Sequence, residues 1–184
     1  MSELGIFGGQ ELLDSGDPDP IPIIERFLYE KKNILCIADV KSGKSVFTLQ
    51  MALALTTGDD LIDTFKIPNP VDVLYVQTEG SKDETIVRLH RMARAISFDP
   101  IRFKLYYHWG LALNLESELV KFIQNVEATG FKPKVLILDP LYTSVRGNLS
   151  DQVVVTQCAS NFRRLSDLWN CSIFFRCFPE SKSF

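Results

Sequence analysis

The feature that most constrains this chain is a strand–loop–helix unit built around the sequence ADVKSGKS, residues 38–45. Residues 34–37 form an apolar run, which predicts a buried strand, and residues 45–55 are apolar nearly all round, which predicts a helix packed on a sheet. The strand and the helix each need further secondary structure to cover their apolar surfaces. The unit therefore predicts an α/β fold with this loop at the end of a strand.

The loop matches most of the phosphate-binding pattern G-x-x-x-x-G-K-[ST], with alanine in place of the first glycine. In such a loop, successive backbone N–H groups form a concave nest, and the following helix directs its positive end at the phosphates. Lys44 would reach the β- and γ-phosphates, and the Ser45 hydroxyl would bind Mg²⁺. The predicted nucleotide-binding residues are Ala38, Asp39, Val40, Lys41, Ser42, Gly43, Lys44 and Ser45.

The alternative interpretation of this stretch is an ordinary turn that happens to contain Gly-Lys-Ser. Ala38 lacks the freedom of glycine at positive φ, which counts against a phosphate-binding loop. Alanine is still small, however, and Gly43 is retained beside the expected phosphates. The position of the loop, directly after a strand and before a helix, favours the phosphate-binding interpretation.

Strands and helices alternate along the rest of the chain. Strands are predicted at residues 71–78, 103–107, 134–139 and 171–175, and helices at residues 82–96, 116–128 and 151–169, with a shorter helix at 23–29. This alternation predicts a mainly parallel sheet covered by helices on both faces. The carboxyl ends of parallel strands meet at one edge, which is where such sheets bind ligands.

Two acidic residues follow predicted strands and are the candidate partners of the loop. Asp139 ends the run VLILD and would hold the metal ion of a phosphate-binding site. Glu79 follows LYVQT and would act as general base for an attacking water. The alternatives are an aspartate that starts the Asp-Pro-Leu turn and a solvated loop glutamate. The loop upstream favours the functional role for both residues.

Composition excludes several other classes of protein. The chain has 184 residues and a formal net charge of −3, which gives no global electrostatic reason to bind nucleic acid. Its four cysteines include no C-x-x-C pair and it has only two histidines, which disfavours zinc. The N-terminal residues do not resemble a secretory signal, and no apolar run is long enough to span a bilayer. These features predict a cytoplasmic protein that does not enter the membrane.

Three stretches, taken together, resemble the RecA-like ATPases related to the hexameric replicative helicase RepA. They are ADVKSGKSVFTLQMALAL, VLYVQTEGSKDETIVRLHRM and KVLILDPLYTSVRGNLSD. The matching features are the Lys-Ser-Gly-Lys-Ser loop, a strand that ends in Thr-Glu-Gly before an arginine-containing helix, and Asp-Pro-Leu at the second acid. The resemblance extends from about residue 20 to residue 175, which is most of the chain.

The resemblance implies an α/β P-loop NTPase fold, a RecA-like three-layer sandwich with a mainly parallel central sheet. It implies that Lys44 and Ser45 bind MgATP and that Asp139 coordinates the metal. It also implies that Glu79 and Lys44 are the catalytic residues, with Glu79 as the base. For a full-length form it implies a homo-hexameric ring or a filament, with each site completed by an Arg or Lys of the neighbouring subunit. ATP hydrolysis would be coupled to single-stranded DNA in replication or mobile-element maintenance.

The sequence departs from that family in ways that set the remaining expectations. The family carries a His-containing segment that senses the γ-phosphate after the fifth strand, whereas this chain has Arg176-Cys177-Phe178 there. We expect residues 1–19 to be a lead-in and residues 20–184 to be an ATPase core whose C-terminal part lies beyond the chain. The alternative function is a non-catalytic nucleotide-binding module, or a truncated remnant that binds ATP with little turnover. A small-molecule kinase is disfavoured because residues 59–70 are too short for a lid and contain no arginine.

Several weaker candidates lie near these motifs. Arg88, Arg91 and Arg94 follow Glu79 on one predicted helix and would contact a partner subunit, although a solvated surface is the favoured interpretation. Trp109 lies at a predicted strand end, where packing at the rim is favoured over stacking on the adenine.

Overall fold

The computed structural model describes residues 8–14, 16, 19–39 and 41–178. Its helices are α1 (Gly9–Asp14), α2 (Lys44–Thr57), α3 (Lys82–Met92), α4 (Glu116–Glu127) and α5 (Gln152–Trp169). Its strands are β1 (Pro22–Ile24), β2 (Leu28–Tyr29), β3 (Asn33–Ile37), β4 (Val73–Gln77), β5 (Phe103–Tyr107), β6 (Val135–Asp139) and β7 (Ser172–Cys177). A single 3₁₀ turn at Tyr142–Ser144 follows β6.

Five strands form one sheet in the order β3-β7-β6-β4-β5, and each neighbouring pair is parallel. The predicted parallel α/β fold is therefore confirmed. Strand β6 lies between β4 and β7, with Gln77 opposite Asp139 and Leu138 opposite Phe175. Since all five strands run the same way, the loops after β3, β4, β6 and β7 emerge at one edge of the sheet.

Helices cover both faces of the sheet, and alternating strand residues divide between two cores. Val73 and Tyr75 of β4 belong to the cluster that packs against α2, while Leu74 and Val76 belong to the cluster that packs against α4 and α5. Strand β6 divides in the same way. This two-sided burial explains why the central strands read as continuous apolar runs in the sequence.

The structure corrects some of the predicted elements. The short helix predicted at residues 23–29 is wrong, because this segment forms the antiparallel hairpin of β1 and β2, which turns at Arg26 with φ 61°. Ile24 and Leu28 are fully buried in the hairpin. Helix α3 ends at Met92 rather than at residue 96, and the helix α1 was not predicted.

Some predictions fall outside the described residues. These are Val40 of the loop, the final segment 179–184, and residues 1–7, 15, 17 and 18 of the expected lead-in. In the part of the chain that the structure describes, no helix combines the length and the apolar character needed to cross a membrane.

Candidate functional site

Two of the described residues in the loop between β3 and α2 have a left-handed backbone. Gly43 has φ 86° and ψ 6°, a left-handed conformation that favours glycine. Lys41 is also left-handed, at φ 64°. Ala38 is not in the left-handed region, so alanine at this position carries no strain from φ. The change from the usual first glycine is therefore sterically tolerated.

Lys44, the first residue of α2, is turned into its own loop and is only 7% exposed. Its Nζ donates hydrogen bonds to the carbonyl oxygens of Ala38 and Asp39, and it lies 3.2 Å from Oγ of Ser42. An ammonium group that meets several oxygens in one concave loop is well placed to meet phosphate oxygens instead. These internal oxygens must give up the ammonium when an anion binds.

Asp139, the last residue of β6, is buried at 5% exposure. The Tyr75 hydroxyl donates to its Oδ2, and its Oδ1 is in ion-pair contact with Nε of Arg176. Neither Oδ1 nor that Nε has a hydrogen bond of good geometry. Burial raises the pKa of Asp139, and the Arg176 charge and the Tyr75 hydroxyl offset this only in part. The carboxylate is thus buried with one oxygen incompletely satisfied.

Glu79 follows β4 and faces the same cavity with its side chain about one-third exposed. Its backbone oxygen accepts a hydrogen bond of 2.8 Å from Nε2 of Gln77, which fixes the start of the loop. Its Oε2 accepts from the Tyr142 hydroxyl, and its Oε1 accepts from Nη2 of Arg176 at 2.5 Å. Burial and the hydrogen bond to Glu79 raise the pKa of Tyr142 to about 12, so this phenol stays a donor at neutral pH.

Arg176 joins the two acids from β7, the strand between β3 and β6. Only 2% of the residue is exposed, and its guanidinium contacts both Asp139 and Glu79. Burial lowers the pKa of Arg176, but the charges of the two acids raise it by more, so the group is always protonated. Two residues further on, the Phe178 ring lies 4.9 Å from the guanidinium carbon of Arg176 and 4.4 Å from Nζ of Lys44.

Two neighbouring cavities open among these groups. The deeper one has a volume of about 200 Å³ and is lined by Ser45, Leu49, Tyr75, Gln77, Glu79, Gly80, Glu84, Thr85, Arg88, Asp139 and Arg176. The one beside the loop has a volume of about 320 Å³ and is lined by Lys41, Gly43, Lys44, Ser45, Val46, Glu79, Arg88, Arg176 and Phe178. Ser45, Glu79, Arg88 and Arg176 line both cavities, so the two form one continuous site.

The site fits a magnesium ion carried in by a phosphate ligand. Ser45 and Asp139 line the same cavity, so a hydroxyl and a carboxylate are available there. Mg²⁺ is usually held by one or two protein oxygens together with phosphate oxygens and water. The described residues contain no cluster of three or more His, Cys, Asp or Glu that would hold a metal by itself. A metal here would therefore depend on the ligand.

The structure brings together most of the residues selected from the sequence. Lys44, Ser45 and Glu79 line the cavity beside the loop, and Ser45, Glu79 and Asp139 line the deeper one. Arg88, interpreted from sequence as solvated surface, lines both cavities. Trp109 lines neither of them and is 73% exposed, which leaves no support for stacking on a base.

Sequence reasoning missed four residues whose side chains contact those of Lys44, Glu79 or Asp139: Tyr75, Tyr142, Arg176 and Phe178. The one local signal was Arg176, a charge within the apolar strand SIFFRC. A charge at a buried strand position needs a partner of opposite sign, so this residue pointed to an acid nearby. The two tyrosines and Phe178 carry no comparable signal, because their contacts depend on which strands are neighbours.

A family model described as "AAA domain" matches residues 10–177. The matched range includes the loop, both acids and Arg176. Comparison with curated proteins gave no match.

Proposed function

Because this chain belongs to the AAA-domain family, we propose that it binds MgATP at the edge of the sheet and hydrolyses it. The observation that carries the proposal is the convergence of Lys44, Ser45, Glu79 and Asp139 on one continuous site. Glu79 and Asp139 come from the ends of two parallel strands, and Lys44 and Ser45 come from the start of one helix. They combine a phosphate-binding cation with a metal-binding carboxylate and a base.

The loop would bind the phosphates. Gly43 lets the backbone turn so that the N–H groups at the start of α2 face the cavity, where the helix dipole favours negative charge. Lys44 would exchange the carbonyl oxygens of Ala38 and Asp39 for phosphate oxygens. Its charge would also offset the charge that develops on the transferred phosphoryl group, which makes it a catalytic residue as well as a binding one.

Ser45 and Asp139 would hold the metal ion. The Ser45 hydroxyl supplies one oxygen from the first turn of α2, and Asp139 supplies Oδ1 from the end of β6. A magnesium ion held by these two residues would neutralise part of the phosphate charge. The Tyr75 hydroxyl donates to the other carboxylate oxygen of Asp139 and keeps it in place, which leaves Oδ1 as the oxygen that would bind the metal.

Glu79 would accept the proton of the attacking water. Each of its oxygens already accepts one hydrogen bond, from Arg176 or Tyr142, and each retains a second lone pair for water. The raised pKa of Tyr142 keeps that hydroxyl a donor, so Tyr142 orients Glu79 and does not compete for the proton. The proton would pass from the water to one of the Glu79 carboxylate oxygens as the bond from the water oxygen to the γ-phosphorus forms. The bond from that phosphorus to the β,γ-bridging oxygen would break in the same step, with ADP as the leaving group.

The test is equilibrium binding of a fluorescent ATP analogue, with and without Mg²⁺, to the parent chain and to Lys44→Ala. We expect magnesium-dependent binding that falls about 10- to 100-fold in Lys44→Ala, as expected for the loss of a charged hydrogen-bonding group. Lys121→Ala is the matched control, because Lys121 is an exposed lysine on α4 whose ion pair among the described residues is with Glu118. Equal binding by the parent and Lys44→Ala would refute the proposal.

A second candidate function is a nucleotide-binding module with little turnover. The specific observation in its favour is that Arg176 contacts both the metal-binding acid and the base. Phosphate release from ATP under single-turnover conditions separates the two functions. Release that is lost in Glu79→Gln supports an ATPase, while tight binding without release in the parent supports the module.

The finer proposal concerns the partners. By its resemblance to RepA-type helicases, the chain would act on single-stranded DNA in the cytoplasm. It would do so as a homo-oligomer, which in the full-length form would be a hexameric ring. The ATPase core would span residues 20–184. Stimulation of hydrolysis by single-stranded DNA, measured together with the oligomeric state in solution, tests this. Absence of stimulation at every salt concentration would count against it.

A further inference from the structure

The functional groups of the site are held by two residues at the end of strand β7. Arg176 contacts the carboxylates of Asp139 and Glu79, and Phe178 lies over the Lys44 ammonium. Phe178 is also 5.4 Å, between ring centroids, from Tyr142, whose hydroxyl donates to Glu79. Lys44, Glu79 and Asp139 are thus all engaged by this segment.

We propose that Arg176 and Phe178 close the nucleotide site in its free form and that MgATP binds by displacing them. Arg176 stands where a metal cation would contact Asp139, and Phe178 stands where a phosphate would approach Lys44. The inference rests on the proposed function, since it describes how the same site is kept closed. It assigns a role to two residues that neither phosphate binding nor proton transfer requires.

Arg176 competes with the metal because both need the same oxygen. The Oδ1 atom of Asp139 is buried and makes no hydrogen bond of good geometry, so the ion pair with Nε of Arg176 is its one close polar contact among the described residues. A metal ion can bind this oxygen only if the guanidinium withdraws. After the guanidinium leaves Asp139, the partly exposed Glu79 remains as the ion-pair partner of Arg176.

Phe178 competes with the phosphates through a cation–π contact with Lys44. The ammonium nitrogen lies 4.4 Å from the ring centroid, well within the range at which such contacts stabilise a cation. Phe178 also lines the cavity beside the loop, together with Gly43 and Lys44. A polyphosphate entering this cavity must take the ammonium away from the ring. The free energy with which the ring stabilises the ammonium in the free site is lost when the nucleotide binds. The contact therefore weakens nucleotide binding by that same free energy.

The first test is the dissociation constant of a fluorescent non-hydrolysable ATP analogue with saturating Mg²⁺, for the parent, Phe178→Ala and Phe178→Tyr. Loss of one cation–π contact is expected to tighten binding by about 2- to 30-fold in Phe178→Ala. Phe178→Tyr keeps the aromatic face and should bind as the parent does. Unchanged or weaker binding by Phe178→Ala would overturn the inference, because the ring would then be neutral or would assist the nucleotide.

The second measurement is the Mg²⁺ concentration that half-saturates ADP binding at pH 8, for the parent and Arg176→Gln. Removal of the competing guanidinium should lower this concentration by roughly tenfold, the effect of one charged hydrogen bond. If Arg176→Gln does not fold, as judged by circular dichroism, Arg176→Lys replaces it, because its shorter side chain cannot span both acids. A half-saturating concentration that stays the same or rises would overturn the inference.

Failure of this inference is distinguishable from failure of the proposed function. Parent binding that depends on Lys44 but does not respond to substitution of Phe178 or Arg176 overturns the inference alone. Absence of binding by the parent and by Phe178→Ala overturns both. Binding by Phe178→Ala but not by the parent supports both the inference and the proposed function, since it means that the closed form blocks a site that can bind the nucleotide.

Discussion

The buried contact between Arg176 and Asp139 makes the stability of this protein sensitive to a single substitution. Arg176→Gln would remove the guanidinium and leave the Asp139 carboxylate buried at 5% exposure, with the Tyr75 hydroxyl as its side-chain donor among the described residues. Glu79 would lose the same partner, but it is about one-third exposed and water can replace the lost contact. The penalty therefore falls on Asp139.

The magnitude follows from the cost of an uncompensated buried charge. Removing one partner of a buried ion pair destabilises proteins by about 3–5 kcal/mol, out of a total stability of roughly 5–15 kcal/mol. We expect Arg176→Gln to fall in this range near pH 8. Adding Asp139→Asn should recover most of the loss, since the second substitution removes the charge that the first one left unpaired.

The pH dependence gives the sign of the effect. Burial already raises the pKa of Asp139 in the parent, and without Arg176 the pKa rises further. A carboxyl with a raised folded-state pKa destabilises the protein above that pKa, and the penalty disappears as the pH falls through it. The stability difference between Arg176→Gln and the parent should therefore shrink from pH 8 to pH 5.

The assay is urea unfolding of the parent, Arg176→Gln and Arg176→Gln/Asp139→Asn at pH 8 and pH 5, followed by circular dichroism. Arg164→Gln is the matched control, because it removes an arginine whose ion pair with Glu116 is exposed, and it should change stability by less than about 1 kcal/mol. A single variant within about 1 kcal/mol of the parent at pH 8, or a double variant no more stable than the single, would refute the reasoning.

Two further predictions concern the loop and the base. Glu79→Gln should keep magnesium-dependent nucleotide binding and lower the rate of ATP hydrolysis by about 10²–10⁴-fold, measured as phosphate release; a rate equal to that of the parent would exclude Glu79 as the base. Gly43→Ala should weaken nucleotide binding and cost about 1–2 kcal/mol of stability, because Gly43 has φ 86°. By contrast, Ala38→Gly should leave binding within about twofold of the parent, since Ala38 is not left-handed and needs no glycine. Equal effects of these two loop substitutions would contradict this account of the backbone.

The parallel sheet was predictable because burial on both faces leaves a clear mark in the sequence. Runs such as VLILD have no polar residue before the last position, and the structure buries all five of these residues. The order of elements then placed the loop, Glu79 and Asp139 at one edge without knowledge of which strands are neighbours. A site formed from strand ends needs only parallel strands, and alternation with helices supplies them.

The hairpin of β1 and β2 was not predictable because its turn lacks the usual residues. Arg26 takes a φ of 61° without glycine or asparagine at the turn, so the local sequence gives no sign of a reversal. Burial of Ile24 and Leu28 in the cluster around α2 stabilises the hairpin instead. Such long-range packing overrides the helical pattern that residues 23–29 show in isolation.

The contacts of Arg176 could not be predicted from the sequence for a related reason, and they change the interpretation of how the site binds its ligand. The sequence showed a loop that lacks one glycine and an Arg-Cys-Phe segment after the predicted fifth strand, with nothing to connect the two. The sheet order connects them, because β7 lies between the strand that leads into the loop and the strand that ends in Asp139. Within this site Arg176 already pairs with Glu79 and Asp139, and the Lys44 ammonium already contacts the carbonyl oxygens of its own loop. Binding of a polyanion with its metal is then an exchange of these internal contacts for contacts with the ligand, and the affinity is a difference between two satisfied states. Substitutions that loosen the internal pairs without touching the nucleotide should for that reason raise affinity, which a site built only for its ligand would not allow.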